Sequence, residues 1–378
     1  MASLDDLLHP ITARRFRADY EGREPLHIPA SEGAGARMLL DWGGFNAILS
    51  HTGSFTPINL RLVHNGNPVP AESYCTQVKT PAGLVQQPAP AKIEVLLSTG
   101  ASLVVNEIQS MSPALSAVAE MLGRTFAATV GANAYCSFSG IQAFGTHFDL
   151  HDVFAIQTEG EKTWRLYEGR ADAPVSYPPG TDAEVRRWFQ ETRGPLREEI
   201  RMRPGDLLYL PRGWYHDALA DSQASLHVTF SVTPLNGRAI FDLLEQAAMQ
   251  DPAFRAHLPP AHEDRGDALQ AHLAQLGQRL SALAALTEFR DEVAMAQQRL
   301  VLRPADYSLP LRKPLTVYRP TGLTPPTPTG TTGIAMEWAL AQPQFALEDL
   351  IAEFDFIDAD ALTGAVHDAE RAKALKRL

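Results

Sequence analysis

Cysteine is scarce: Cys75 and Cys136 are the only two in 378 residues, and thiols so few and far apart cannot form the disulfide framework of a small secreted domain. No uninterrupted apolar run reaches the eighteen or so residues that a membrane-spanning helix needs, so no membrane role is expected. The opening Met1-Ala2-Ser3-Leu4-Asp5-Asp6 is acidic where a secretion signal carries a basic segment followed by an apolar one. The expected compartment is cytoplasmic. Positive charge is also short. With 33 Lys and Arg against 44 Asp and Glu, the formal net charge is −11, which opposes non-specific nucleic-acid binding and favours a basic partner.

What the chain does have is an ordinary globular composition, 45% hydrophobic and 20% charged, in a length that allows two to three domains at roughly 150 residues each. Before residue 236, short β-type runs such as Leu60–Val63, Ser102–Ile108 and Leu226–Val232 alternate with Gly and Pro. Helices are expected there from Thr12 to Tyr20 and from Ser112-Pro113, an N-cap and first-turn proline pair. After 236 the period changes. Leu269, Leu273, Leu276, Leu280 and Leu283 recur at the spacing of one helical stripe, which suits either a helix packed on its own domain or a helix pair that builds a homodimer interface. A Pro- and Thr-rich break, Pro320–Gly333, lies in the last segment. Around it, helices near Met336–Ala341 and Leu347–Phe354 and a β-type run Leu315–Tyr318 suggest a small winged-helix-like unit. Seven acidic residues and no Lys or Arg lie between Ile334 and His367, so direct DNA binding is not expected. The reading is a β-rich α+β protein with domains 1–235, 236–302 and 303–378.

The sharpest local pattern is Gly145-Thr-His-Phe-Asp-Leu-His-Asp-Val-Phe-Ala-Ile-Gln157. In a β-type run His147 and Asp149 point to the same face. A second pattern, Arg203-Pro-Gly-Asp-Leu-Leu-Tyr-Leu-Pro-Arg-Gly-Trp-Tyr-His216, combines a Gly-Asp turn, an apolar strand and a Pro-x-Gly loop that aims His216. Two histidines and a carboxylate on one side of a metal, with the other side open, is the arrangement of non-haem Fe(II) oxygenases. A bare His-x-Asp is more often a hydrogen-bonded pair than a ligand set. The joint pattern is what singles it out, because it describes how a small β-barrel gathers distant strands around one centre. His151 shares the strand face of His147 and Asp149, and His227 alternates with Thr229 and Ser231. They read as a substrate-facing or supporting residue and a pocket residue, or as hydrogen-bonded interior histidines. Trp164 and Trp214 read as packing or pocket walls.

These residues resemble the JmjC-type, cupin-fold 2-oxoglutarate and Fe(II)-dependent oxygenases, and among them the ribosomal oxygenases that hydroxylate ribosomal proteins. The likeness runs from Phe16–Ile28 through Asn133-Ala-Tyr135, His147-Phe-Asp149, Gly160-Glu-Lys-Thr-Trp-Arg-Leu-Tyr167 and Tyr209-Leu-Pro-Arg-Gly-Trp-Tyr-His216 to Leu226-His-Val-Thr-Phe-Ser231. It covers roughly residues 1 to 235, and the remainder is similar in layout only. The resemblance implies a double-stranded β-helix followed by a helical dimerisation region and a winged-helix-like domain. It implies His147, Asp149 and His216 as Fe(II) ligands, and Lys162 as the cation that holds the distal carboxylate of the co-substrate 2-oxoglutarate. It also implies Asn133, Tyr135, Thr229 and Ser231 as walls of the co-substrate pocket, and dioxygen as the second co-substrate. By residue type alone, Lys162 beside Glu159 and Glu161 reads first as a solvated turn lysine, a preference that the resemblance reverses. The implied reaction is hydroxylation of an Arg or His side chain of a basic ribosomal protein. Alternatives are an N-methyl demethylase or a small-molecule or peptide hydroxylase. A cupin that uses metal without 2-oxoglutarate and a non-catalytic cupin binding module also remain open.

Overall fold

Residues 3–30, 34–64, 66–81, 83–138, 145–220, 224–303, 314–325 and 328–378 are described by a computed structural model. They divide into one unit of Met1–Pro234 with Val301–Pro304 and a second of Leu235–Leu300 with Ala305–Leu378.

In the first unit the β-branched and aromatic runs form strands β1 (Leu26–Ile28), β2 (Leu60–His64), β3 (Asn67–Pro68), β4 (Cys75–Thr80), β5 (Gly83–Pro88), β6 (Ser102–Val105) and β7 (Ala128–Phe138). They continue as β8 (Asp152–Glu159), β9 (Lys162–Arg170), β10 (Leu196–Met202), β11 (Leu207–Leu210), β12 (Trp214–Ala220) and β13 (Ala224–Pro234). Eight strands pair in the order β1-β11-β8-β13-β7-β6-β2-β3, β10-β9-β12 form a second sheet, and β4 and β5 a separate hairpin. The pairings are antiparallel. Antiparallel sheets in this order are consistent with the jelly roll expected from the sequence.

Strand alternation sorts the residues of the large sheet onto two faces. Ala132, Ala134 and Cys136 of β7 and Val228 and Phe230 of β13 join an apolar core with Phe16 and with Leu115, Val118 and Leu122 of the helix Pro113–Phe126. The other face closes a second core against the smaller sheet, where Val153, Ala155, Leu208 and Leu210 meet Trp164, Leu166, Ile200 and Met202. Each fully buried Val, Leu, Ile, Phe or Met side chain among these contributes roughly 1.5–3 kcal/mol. The β7–β13 register sets Thr229 opposite Asn133 and His227 opposite Tyr135, so polar residues nearly a hundred positions apart share the inner face.

The second unit holds helices Arg238–Ala248, Asp267–Ala284, Thr287–Gln298, Thr331–Ala341, Leu347–Glu353 and Ala359–Arg371. Strands β14 (Val317–Pro320), β15 (Phe345–Ala346) and β16 (Leu375–Arg377) pair in the order β15-β14-β16. Its core gathers Met295, Tyr318, Met336, Leu350, Phe354, Leu362 and Val366. The helix Asp267–Ala284 buries none of its residues.

Three details differ from the sequence reading. The strand expected over Ser102–Ile108 ends at Val105, because Glu107 takes a positive φ of 60° that a strand cannot continue. His147-Phe-Asp149 lies outside the strands, touching β12 through a single bridge at His147. Of the break at Pro320–Gly333, Pro320 closes β14 and Thr331 already begins a helix, while residues 326–327 fall outside the described set. Among the described residues no helix is long and apolar enough to cross a membrane.

Candidate active site

Two short segments carry His147, Asp149 and His216, and backbone hydrogen bonds tie them together. His147 N donates to His216 O at 3.0 Å and His216 N to His147 O at 2.8 Å. Two residues along, the Gly213 amide donates to Asp149 O at 3.0 Å while Gly213 O accepts from Ala171 N at 2.9 Å. Gly213 has φ +85°, and a Cβ there would fall 2.4 Å from Ala171 O, so this turn accepts only glycine. The two ligand-bearing segments therefore approach each other through a glycine turn and a bridge, not through a continuous strand.

The side chains converge as a result. Asp149 Oδ1 lies 3.9 Å from His147 Nε2, and Asp149 Oδ2 lies 3.5 Å from His216 Nε2. One ligand atom from each of the three residues falls within 4.8 Å of the others, a spacing one cation can span. Each imidazole is oriented from behind: His147 Nδ1 sits 2.9 Å from Gly145 O and His216 Nδ1 2.9 Å from Trp214 O. That arrangement favours the tautomer with its proton on Nδ1 and turns the Nε2 lone pair toward the metal position. Burial, with His147 adding to it, pushes His216 down to about 4 despite the opposing pull of Asp149, so its imidazole is neutral near pH 7. Burial alone would raise the Asp149 carboxyl, but His147 and His216 outweigh it and hold the group below its ordinary value. A carboxylate anion at Asp149 and a neutral imidazole at His216 are protonation states that suit coordination.

A cavity of about 280 Å³ opens beside these groups and is lined also by Asn133, Tyr135, Lys162, His227 and Thr229. Lys162 opens β9, the central strand of the smaller sheet, with Met202 opposite it on one side and Ala220 on the other. It is 2% exposed, and burial pushes its ammonium down to about 8. Among the described residues no carboxylate pairs with it, which leaves a buried cation facing the cavity. His227 stacks on Tyr135, with ring centroids 4.8 Å apart and planes 8° from parallel. Burial, reinforced by Lys162, pushes its pKa well below the ordinary range. Its Nδ1 and the Nε1 of Trp164 are buried without hydrogen-bond partners among the described residues. A neutral imidazole, an indole N–H and an unpaired ammonium around one cavity suit an anionic, oxygen-bearing ligand, so the residues present fit both the metal and a dicarboxylate.

Of the residues singled out from sequence, His147, Asp149, His216, Lys162, Asn133, Tyr135 and Thr229 meet at this cavity, with His151 and His227 in its wall. Ser231 does not. Strand alternation puts it on the face of Thr229, but β13 runs on past the cavity, and there the Ser231 hydroxyl donates to Gly131 O at 3.2 Å. Trp164 is a cavity wall, stacked 5.6 Å from His216. Trp214 instead lies beneath the guanidinium groups of Arg197 and Arg170, at 5.0 and 5.7 Å. Arg61 and Tyr177 also line the cavity and were missed. Arg61 had a signal, being the one charged residue in the apolar run Leu60-Arg-Leu-Val63.

The strand arrangement is consistent with a jelly roll, and the two-histidine, one-carboxylate cluster gives it a candidate metal site. Residues 105–240 match the family described as JmjC domain. The chain is 27% identical over 308 residues to Ribosomal oxygenase 1 of Danio rerio, covering 76% of this chain and 54% of that protein. To the Bifunctional lysine-specific demethylase and histidyl-hydroxylase NO66 of Dictyostelium discoideum it is 39% identical over 142 residues, 35% of this chain and 27% of that one. The chain thus spans about half, or less, of the length of these curated relatives. In fold it is similar to YcfD, a ribosomal oxygenase from Escherichia coli solved with cobalt and succinic acid, at a TM-score of 0.50 and 16% identity over 97% of this chain and 98% of that one.

Proposed function

We propose that this protein is a 2-oxoglutarate- and Fe(II)-dependent oxygenase that hydroxylates an Arg or His side chain of a ribosomal protein. The carrying observation is the convergence of His147, Asp149 and His216 on one side of a cavity with a buried, carboxylate-free Lys162 on its wall. A centre of this kind supplies oxidative decarboxylation of 2-oxoglutarate to succinate and CO2, coupled to insertion of one oxygen atom into a substrate C–H bond. The chain's own residues bind and orient. His147, Asp149 and His216 hold the cation from one side, and Lys162 neutralises the co-substrate's far carboxylate where water is scarce. Asn133, Tyr135 and Thr229 shape the pocket. Burial, then Asp149, raises the Tyr135 pKa, with hydrogen bonds to Thr229 and Asn133 acting the other way.

The relatives' names, ribosomal oxygenase and histidyl-hydroxylase, support the substrate class, and the net charge of −11 would steer a basic polypeptide toward the protein. The helices of 236–302 are proposed as a homodimerisation region, supported by Leu273 and Leu280 standing 50% and 37% exposed on a helix that buries nothing. Three helices and a three-stranded sheet support a winged-helix-like domain over 303–378. Two buried free cysteines suit a reducing, cytoplasmic compartment.

The test is iron-loaded protein given 2-oxoglutarate in air, followed by mass spectrometry of ribosomal proteins from cells with and without the gene. Succinate formation and a gain of one oxygen atom on an Arg or His are expected, with His147→Ala abolishing both. Loss of a methyl group from a lysine instead would transfer the assignment to a demethylase, and no succinate at all would remove the oxygenase reading.

A further inference from the structure

Thr146 immediately precedes His147, and Asp217 immediately follows His216. The two are bonded to each other: Thr146 Oγ1 donates to Asp217 Oδ2 at 2.8 Å, and the Tyr167 hydroxyl donates to the same oxygen at 2.6 Å. Thr146 Oγ1 in turn accepts from Arg193 Nη1 at 3.2 Å, and the Arg193 guanidinium lies 4.4 Å above the Tyr167 ring. Thr146 and Asp217 are 4% and 3% exposed. The arginine is itself fixed. Gly169 N donates to Arg193 O at 2.8 Å, and a Cβ at Gly169 would fall 2.5 Å from that oxygen, so the chain after the helix Asp182–Thr192 sits on β9 at a distance only glycine permits.

This network is costly. Asp217 Oδ1 is buried without a hydrogen-bond partner among the described residues, and apolar side chains of similar size would fill the space without that penalty. Its position gives it a use. The paired backbone bonds between His147 and His216 form a single isolated bridge, and the Gly213 amide ties the two segments again on its Asp149 side. The Thr146–Asp217 side-chain bond ties them on the opposite side, one residue from the bridge.

We infer that Thr146 and Asp217, braced by Tyr167 and Arg193, are positioning residues that hold His147 and His216 at the separation one divalent cation requires. The inference rests on the proposed reading of those histidines as metal ligands. Groups that orient ligands from behind are typically worth 10–100-fold in metal affinity. Thr146→Val and Tyr167→Phe each remove one hydroxyl with little change of shape, and Thr146→Ser keeps the hydroxyl.

The experiment titrates the full-length, metal-free protein with Co2+ under nitrogen, reading Kd and the visible cobalt spectrum, and records the Tm of each metal-free variant. Thr146→Val is expected to weaken Co2+ binding roughly tenfold or more and to alter the cobalt spectrum. Thr146→Ser should restore both, and Tyr167→Phe should give a smaller loss. Wild-type Kd and spectrum in folded Thr146→Val and Tyr167→Phe proteins, with only Tm lowered, would overturn the inference. Failure of the wild-type protein itself to bind Co2+ would instead overturn the metal reading on which it stands.

Discussion

Lys162 costs the fold stability and returns it as binding. Its pKa stands near 8 when folded against an ordinary 10.5. Below pH 8 the folded state therefore bears a penalty of roughly 3 kcal/mol relative to the unfolded chain, relieved as pH rises from about 8 toward 10.5. Lys162→Met is expected to raise the urea midpoint of the metal-free protein at pH 7 while abolishing 2-oxoglutarate binding measured by calorimetry. A less stable variant that still binds would show that the lysine anchors structure instead. Wild-type affinity for 2-oxoglutarate should fall as pH climbs above 8, since deprotonation removes the cation that meets the carboxylate, and Lys162→Arg should flatten that profile. The three metal-ligand candidates were legible from residue type and spacing. The burial of Lys162 was not, because beside Glu159 and Glu161 it looks like a turn lysine, and only its place between β10 and β12 keeps it from water.

At the level of elements, the turn Pro211–Gly213 delivers His216. Gly213→Ala must adopt a positive φ and also press against Ala171 O. A loss of roughly 1–3 kcal/mol from the backbone strain, seen as a lowered denaturant midpoint, should come with weakened Co2+ retention, and an unchanged midpoint would show that the turn relaxes freely. This turn, β11 and the helix from Pro113 were readable because glycine, proline and apolar period act locally. The geometry of His147-Phe-Asp149 was not. Alternation was the right guide to convergence, but the two residues are held by bonds to His216 and Gly213, which lie about seventy positions away. Ser231 shows the converse: the face was right, and the length of strand that borders the cavity was set by tertiary structure. Arg61 reaches the site from β2, which no spacing rule connects to residue 147.

For the whole molecule, the change of period after residue 236 marks off a β-rich stretch from a helical one, while the first unit of the structure holds Met1–Pro234 together with Val301–Pro304. A leucine stripe cannot by itself say what covers it. The exposure of Leu273 and Leu280 motivates an expected outcome: light scattering should give a dimer mass for the wild-type protein and a monomer mass for Leu273→Glu combined with Leu280→Glu. An unchanged mass would remove this helix from the interface. The acidic surface leads to a further expectation, that association with a basic ribosomal protein slows as salt is raised. A salt-independent rate would leave steering without a role.

The decisive determination is the metal content of protein reconstituted with ferrous iron under nitrogen and freed of excess. One iron per chain is expected for the wild type and almost none for Asp149→Ala or His216→Ala. Equal iron in the variants, or none in the wild type, would mean that these three side chains do not share a cation.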